Sequence, residues 1–311
     1  MRHLKTVLVV VLMSLIMNHA YSQQDAMFTH YMYNTLGVNP AYAGSRDMLT
    51  ATTLHRSQWV GFDGAPVTQT LTLHSPIGGK HVGLGLSVIN DKIGPVNSTS
   101  FYGDYAFRIN LTAKSKLSFG LKAGLNLMSI DLVRLQTDNP DDVVFVSNVE
   151  NQMSPNFGFG LYYSRDRFYA GISTPKLLEN KYKYDEDKIR HLSKEQRHYF
   201  FIIGAMLKIS DNIDIKPTIF VKVTYGVPIE ADLTASFIFN KRFLLGAMYR
   251  TEDAVGILAG LDLTDQLHLG YSFDWSFGNH IVRYDDGSHE IMLRYDFLFR
   301  NKKRIRSPRY F

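Results

Sequence analysis

The residues whose types could together do chemistry are His268, Ser272 and Asp274, a histidine, a hydroxyl and a carboxylate within one short stretch. That is the set used for nucleophilic hydrolysis, in which a base takes the serine proton and an acid orients the base. The stretch reads as a strand, however, and residues two apart on a strand lie roughly 6.5 Å from each other, too far to hydrogen-bond without help from neighbouring strands. Polar side chains lining a lumen account for the same three residues. The other histidines, among them His30, His55, His74, His81, His191 and His198, are scattered, with no pair at the close spacing of a zinc site. There is no Gly-x-Ser-x-Gly elbow or phosphate-binding glycine loop, and Gly83-Leu84-Gly85 falls inside a strand pattern. The expectation is a non-enzymatic protein with no metal and no cofactor.

The elements that carry these residues alternate with period two. Leu117, Phe119, Leu121, Ala123, Leu125 and Leu127 face one way, and Ser118, Gly120, Lys122, Gly124 and Asn126 the other. That is a strand with one greasy and one polar face. Leu267 to Trp275 and Ile291 to Phe299 repeat it. Fourteen such segments can be counted between residues 47 and 299, including 81–90, 99–109 and 198–209. An even count of segments about ten residues long is the pattern of an antiparallel outer-membrane β-barrel. Asp104, Arg108, Lys122, Glu230, Asp232, Asp274 and Arg294 then face inward, away from lipid. Glycines 83, 85, 120, 124, 158, 160 and 171 share that inward face, where small residues relieve crowding or mark bends.

Composition agrees with this reading. The 311 residues include 18 Tyr, 20 Phe, 2 Trp and 23 Gly, with no Cys. Disulfide scaffolds and cysteine-based sites are thereby excluded. The net charge of +5 is spread along the chain and leaves no basic face for nucleic acid. Arg2 and Lys5 precede an apolar run from Thr6 to Met17, and Ala20-Tyr21-Ser22 supplies small residues for cleavage. Residues 1–22 therefore read as a secretory signal peptide, with an uncleaved anchor as the alternative.

Link lengths give a test that does not depend on strand faces. The links at 75–80, 110–116, 164–167, 210–212, 240–242 and 264–266 are short, whereas 129–154, 175–197 and 278–287 alternate with them and are longer. Short periplasmic turns and longer outer loops are the rule for such barrels, which puts both termini in the periplasm. The parity is imperfect, because 224–228 and 251–253 are short on the outer side. The mixed-charge run from Glu179 to Arg190 reads as a solvated outer loop. A water-soluble β-sandwich or propeller is the competing architecture.

Two stretches near the start carry more specific information. They are Gln24 to Asn34 continuing into Val38-Asn39-Pro40-Ala41-Tyr42-Ala43-Gly44-Ser45, and His55 to Pro76 with Trp59 inside it. With Gly83 to Pro95 and Ser288 to Phe297 they resemble the PorP/SprF family of outer-membrane proteins of the type IX secretion system of Bacteroidetes. The basic tail, Lys302-Lys303-Arg304 through Arg309, looks more like the PorP branch. The resemblance implies a component of a secretion machine, associated with a periplasmic ring lipoprotein and its partner, and in some members with cargo C-terminal domains or gliding adhesins.

The expected organisation is a signal peptide at 1–22, an aromatic segment at 23–46, a barrel at 47–299 embedded in outer-membrane lipid, and a basic periplasmic tail at 300–311. The segment at 23–46 is too aromatic for a free linker, so it is expected to pack at the periplasmic mouth or enter the lumen, with Asn39-Pro40 shaping a turn. Tyr31, Tyr33, Asn39, Pro40, Tyr42 and Trp59, with Lys302, Lys303 and Arg304 of the tail, are the candidate partner contacts or lumen plug. A porin or hydrophobic-ligand channel is the functional alternative.

Overall fold

The computed structural model describes residues 27–78, 81–133, 148–182, 193–277 and 285–298. The expected signal peptide, residues 300–311 and so Lys302, Lys303 and Arg304 lie outside the described residues. Each alternating segment forms a strand: β1 (Leu49–Ser57), β2 (Val67–Ile77), β3 (Val82–Ile93), β4 (Val96–Asn110), β5 (Ser115–Ile130), β6 (Val149–Arg165) and β7 (Phe168–Thr174). A small separate hairpin, β8 (Lys181–Tyr182) and β9 (Ser193–Lys194), follows. The wall then resumes with β10 (His198–Ala205), continued by β11 (Leu207–Lys208), and with β12 (Ile213–Thr224), β13 (Glu230–Phe239), β14 (Phe243–Arg250), β15 (Ala254–Asp262), β16 (Leu267–Ser276) and β17 (Ser288–Phe297).

All neighbours in the wall are antiparallel, and β17 pairs back onto β1 from Leu49↔Phe297 to Ser57↔His289. The result is a closed barrel of fourteen strands. Closure matters because hydrocarbon offers no hydrogen bonds to an exposed strand edge. On β5, Phe119, Leu121 and Leu125 are exposed on the outer wall while Ser118, Lys122 and Asn126 are buried within it. Among the described residues no helix is long and apolar enough to cross a membrane.

Three details differ from the expected segments, the first being that β6 begins at Val149, within the link expected at 129–154. The third and fourth strands do not stop at 90 and start at 99. They run on to Ile93 and from Val96, joined at Gly94-Pro95. Polar residues on both faces there read as loop, but above the apolar band both faces meet water and the ladder continues. Asn90 bonds Asn97 and Thr99 at 3.0 and 2.8 Å outside, and Thr68 bonds Asp91 at 2.6 Å inside. The segment expected at 198–209 is broken at Met206, because its ladder to β7 ends at Ala205↔Phe168 and the Met206 N–H turns to the Arg167 carbonyl at 2.9 Å.

The links at the end where β1 begins and β17 ends are short throughout, at 78–81, 111–114, 166–167, 209–212, 240–242 and 263–266. The opposite end carries the long links 58–66, 131–148, 175–197 and 277–287, together with three short ones. Strands β4, β5 and β6, of 15, 16 and 17 residues, exceed the roughly ten needed to span, so the wall is tallest on that side.

Candidate functional site

The functional question is what fills the barrel, and it is filled by the chain's own start. Residues from Phe28 to Arg46 are almost all buried, many of them below 2% exposure. The segment folds into one helical turn, Thr35–Val38, and a 3-10 turn, Pro40–Tyr42. Asn39 makes the second turn possible. Its side-chain oxygen accepts the Ala41 N–H at 3.0 Å, and proline stands at the first position, where an N–H would have no partner. The Asn39 amide then donates to the Leu161 carbonyl of the wall at 3.0 Å.

The seat for this segment is cut by glycine. A Cβ on Gly120 would lie 2.0 Å from the Ala41 nitrogen, one on Gly83 2.0 Å from the Ala43 oxygen, and one on Gly160 2.1 Å from Asn39 Oδ1. These three inward positions on β5, β3 and β6 are bare because the segment occupies the space a side chain would take, with its backbone at Gly120 and Gly83 and with the Asn39 side chain at Gly160. The sequence pattern found these three among the glycines of this face; their bareness makes room for residues 39–43.

Aromatic rings hold the rest. Tyr31 stacks on Phe220 at 4.5 Å, and its hydroxyl meets Thr234 Oγ1 at 3.2 Å. Burial raises the Tyr31 phenol above its ordinary pKa, and it raises the Tyr33 phenol to about 12 against the opposing effect of Arg294. Both rings are therefore neutral at physiological pH. Tyr33 lies under two cations, Lys216 Nζ at 4.8 Å and the Arg294 guanidinium at 5.4 Å from the ring centre. Tyr42 packs edge-on against Tyr162 at 5.4 Å and His74 at 5.3 Å.

Charge fixes the segment at two places that sequence reasoning did not identify. Glu290 of β17 accepts the Thr29 N–H at 2.9 Å and the His30 N–H at 2.7 Å, and meets His30 Nδ1 at 2.7 Å. Arg56 completes this cluster, 2.7 Å from Asp274 and 3.3 Å from Glu290, and Thr29 Oγ1 donates to Asp274 at 2.6 Å. At the short-turn end Arg46 grips Asp296 at 2.8 and 3.3 Å. Burial opposes the charge on Arg46, but Asp296 outweighs it and holds the guanidinium above its ordinary pKa. Between the two clusters, Lys122 reaches both Asp104 at 2.8 Å and the Leu36 carbonyl at 3.4 Å. The inward parity of Asp274 and Lys122 was legible in the sequence; that the segment supplies their partners was not.

The structure thus gathers Tyr31, Tyr33, Asn39, Pro40 and Tyr42 in the lumen. Trp59 stands apart in the β1–β2 link, at the end with the long loops, where its backbone N–H donates to Ser288 Oγ at 3.1 Å. His268, Ser272 and Asp274 form no relay. His268 Nδ1 meets Asp262, Asp274 is taken by Arg56 and Thr29, and neither Ser272 Oγ nor His268 Nε2 has a hydrogen-bond partner among the described residues. Among the described residues no cluster of His, Asp and Glu is arranged to hold a metal. A cavity of about 300 Å³ remains over the segment at the long-loop end, lined by Phe28, Val38, Tyr102, Lys122 and Phe200 among others.

The same architecture occurs in known outer-membrane proteins. The CymD monoaromatic hydrocarbon channel matches with 10% identity and a TM-score of 0.50, over 86% of this chain and 93% of that one. Acinetobacter baumannii Omp33 matches with 9% identity and a TM-score of 0.46, over 80% and 98%. At 10% identity the likeness to CymD is one of fold. No curated protein matches the chain by sequence. The sequence matches the family described as Type IX secretion system membrane protein PorP/SprF over residues 20–295, nearly the full length. With a closed strand wall, a lipid-facing exterior and that match in hand, the chain belongs to the PorP/SprF family of type IX secretion membrane proteins and resides in the outer membrane.

Proposed function

We propose that this barrel is a non-enzymatic docking component of the type IX secretion apparatus whose lumen is closed by its own residues 27–46. The observation that carries the reading is the filled lumen. A pore needs a path, and here the segment lies against Gly83, Gly120 and Gly160 while ionic contacts hold it near both ends. A porin or hydrophobic-ligand channel would need the segment to leave.

In this reading the short-turn end, where the chain enters β1 and leaves β17, faces the periplasm and meets the ring lipoprotein and its partner. Cargo C-terminal domains are a second class of partner for the same face. The tail residues Lys302, Lys303 and Arg304 are the proposed contacts beyond the barrel, and the tail is also the ground for assigning the chain to the PorP branch. Affinity capture of the tagged protein from detergent-solubilised outer membranes, with partners identified by mass spectrometry, tests the proposal. Recovery of other type IX components supports it. Recovery of the barrel alone counts against it.

A further inference from the structure

The outer wall changes character at the short-turn end. Three aromatic pairs stand on its outward face: Tyr163 with Phe168 at 6.1 Å, Phe239 with Phe243 at 6.2 Å, and Tyr295 with Phe297 at 4.7 Å. They sit on β6–β7, β13–β14 and β17, at separate points around the barrel. Aromatic girdles of this kind mark the boundary between hydrocarbon and headgroups.

Basic residues lie just beyond that boundary. Arg165 is one pleat past Tyr163 on the same outward face, and Lys241-Arg242 form the turn between Phe239 and Phe243. With Lys114, Arg167 and Lys208 these are exposed, against Asp166, Asp211 and Asp265 as the exposed acids among the described residues of the same end. Lys208 pairs with Asp211 at 2.5 Å. Lys114, Arg165, Lys241 and Arg242 make no ion pair with a described residue. The long-loop end has the opposite balance: among its described residues Asp63, Glu150, Glu252 and Asp286 are exposed, against Lys92.

We infer that the short-turn rim is a binding surface for lipid phosphates, with a preference for anionic phospholipid. The girdle sets the depth, and Arg165 and Arg242 sit within a residue or two of it, where stems cover apolar surface and charged heads reach the phosphate layer. A guanidinium there matches phosphate oxygens with two parallel hydrogen bonds. Attraction to anionic headgroups acts only within a Debye length, which these positions satisfy. A protein docking along the barrel axis would leave Arg165 unused, because it faces sideways into the bilayer. This surface is independent of the lumen and of the docking role proposed above.

The test uses the full chain in nanodiscs of phosphatidylethanolamine with a minority of phosphatidylglycerol, and reads the retained lipids by native mass spectrometry. Wild type is expected to hold phosphatidylglycerol at about threefold or more above its share. The R165E/K241E/R242E variant is expected to lose that excess, and D63K/E252K/D286K at the opposite end to keep it. Heat-dependent electrophoretic mobility reports whether each variant has folded; should the charge reversal fail to fold, R165Q/K241Q/R242Q carries the test. No enrichment on the wild type, or equal enrichment on the rim variant, overturns the inference. Undiminished lipid enrichment together with loss of an acidic protein from the rim variant would assign the surface to protein instead.

Discussion

Glu290 and His30 are joined twice: one carboxylate oxygen accepts the His30 backbone N–H and also meets its ring Nδ1, each at 2.7 Å. Both residues are buried, at 0% and 1% exposure, and they are separated by 260 positions in sequence. A contact between the two ends of the chain thus fixes how the opening segment sits in the last strand of the wall. Removing a carboxylate from such a place strands the buried Thr29 and His30 N–H groups and leaves Arg56 with Asp274 as its remaining carboxylate.

Glu290→Ala is therefore expected to destabilise the barrel by about 3–5 kcal/mol, the range for breaking a buried ion pair. Urea unfolding of the reconstituted protein measures it. A loss below about 0.5 kcal/mol, typical of a surface change, would contradict the pinning role.

Arg46 and Asp296 form the second fastening, at the short-turn end. A double-mutant cycle of Arg46→Ala and Asp296→Ala should give a coupling of about 0.5–3 kcal/mol, as for residues in direct contact. Additive losses would mean that Arg46 stabilises through other neighbours.

Two glycines of β4 and β5 separate seat from wall. Gly120→Val drives side-chain atoms into residues 40–41 and should cost about 1–3 kcal/mol, with the segment displaced. Gly103 faces outward, where an added Cβ meets only the Ala123 carbonyl at 3.9 Å, so Gly103→Ala should stay within about 0.5 kcal/mol of wild type. Denaturation midpoints compare the two; equal effects would remove the seat from the account.

Much of the wall could be read from the sequence because lipid outside and polar lumen inside impose period two on every strand. On β5, Leu121 and Lys122 sit on the faces their alternation implies. The continuation of β3 and β4 was hidden because Asn90, Asp91, Asn97 and Ser98 are polar on both faces, and pairing above the membrane leaves no hydrophobic signature. The lumen was legible in part. The aromatic richness of Tyr31, Tyr33 and Tyr42 excludes a free linker, but periodicity reports only which way a residue faces. It could not say that Glu290 and Asp296 reach His30 and Arg46 from the far end of the chain. The same limit made His268, Ser272 and Asp274 look like a set: they share a face, while contacts from other elements decide their partners.

Replacing Lys302, Lys303 and Arg304 with Glu should weaken capture of periplasmic partners while leaving the barrel folded. Quantitative mass spectrometry of captured partners reads the change. Undiminished capture would remove the tail from the docking surface.

Planar-bilayer recording on the purified full-length protein tests the closed lumen most directly. The account predicts a silent wild type, with openings only when the fastenings are cut, as in Glu290→Ala combined with Arg46→Ala. Stable open-channel currents from the wild type would contradict the proposal that residues 27–46, seated against Gly83, Gly120 and Gly160, close the lumen.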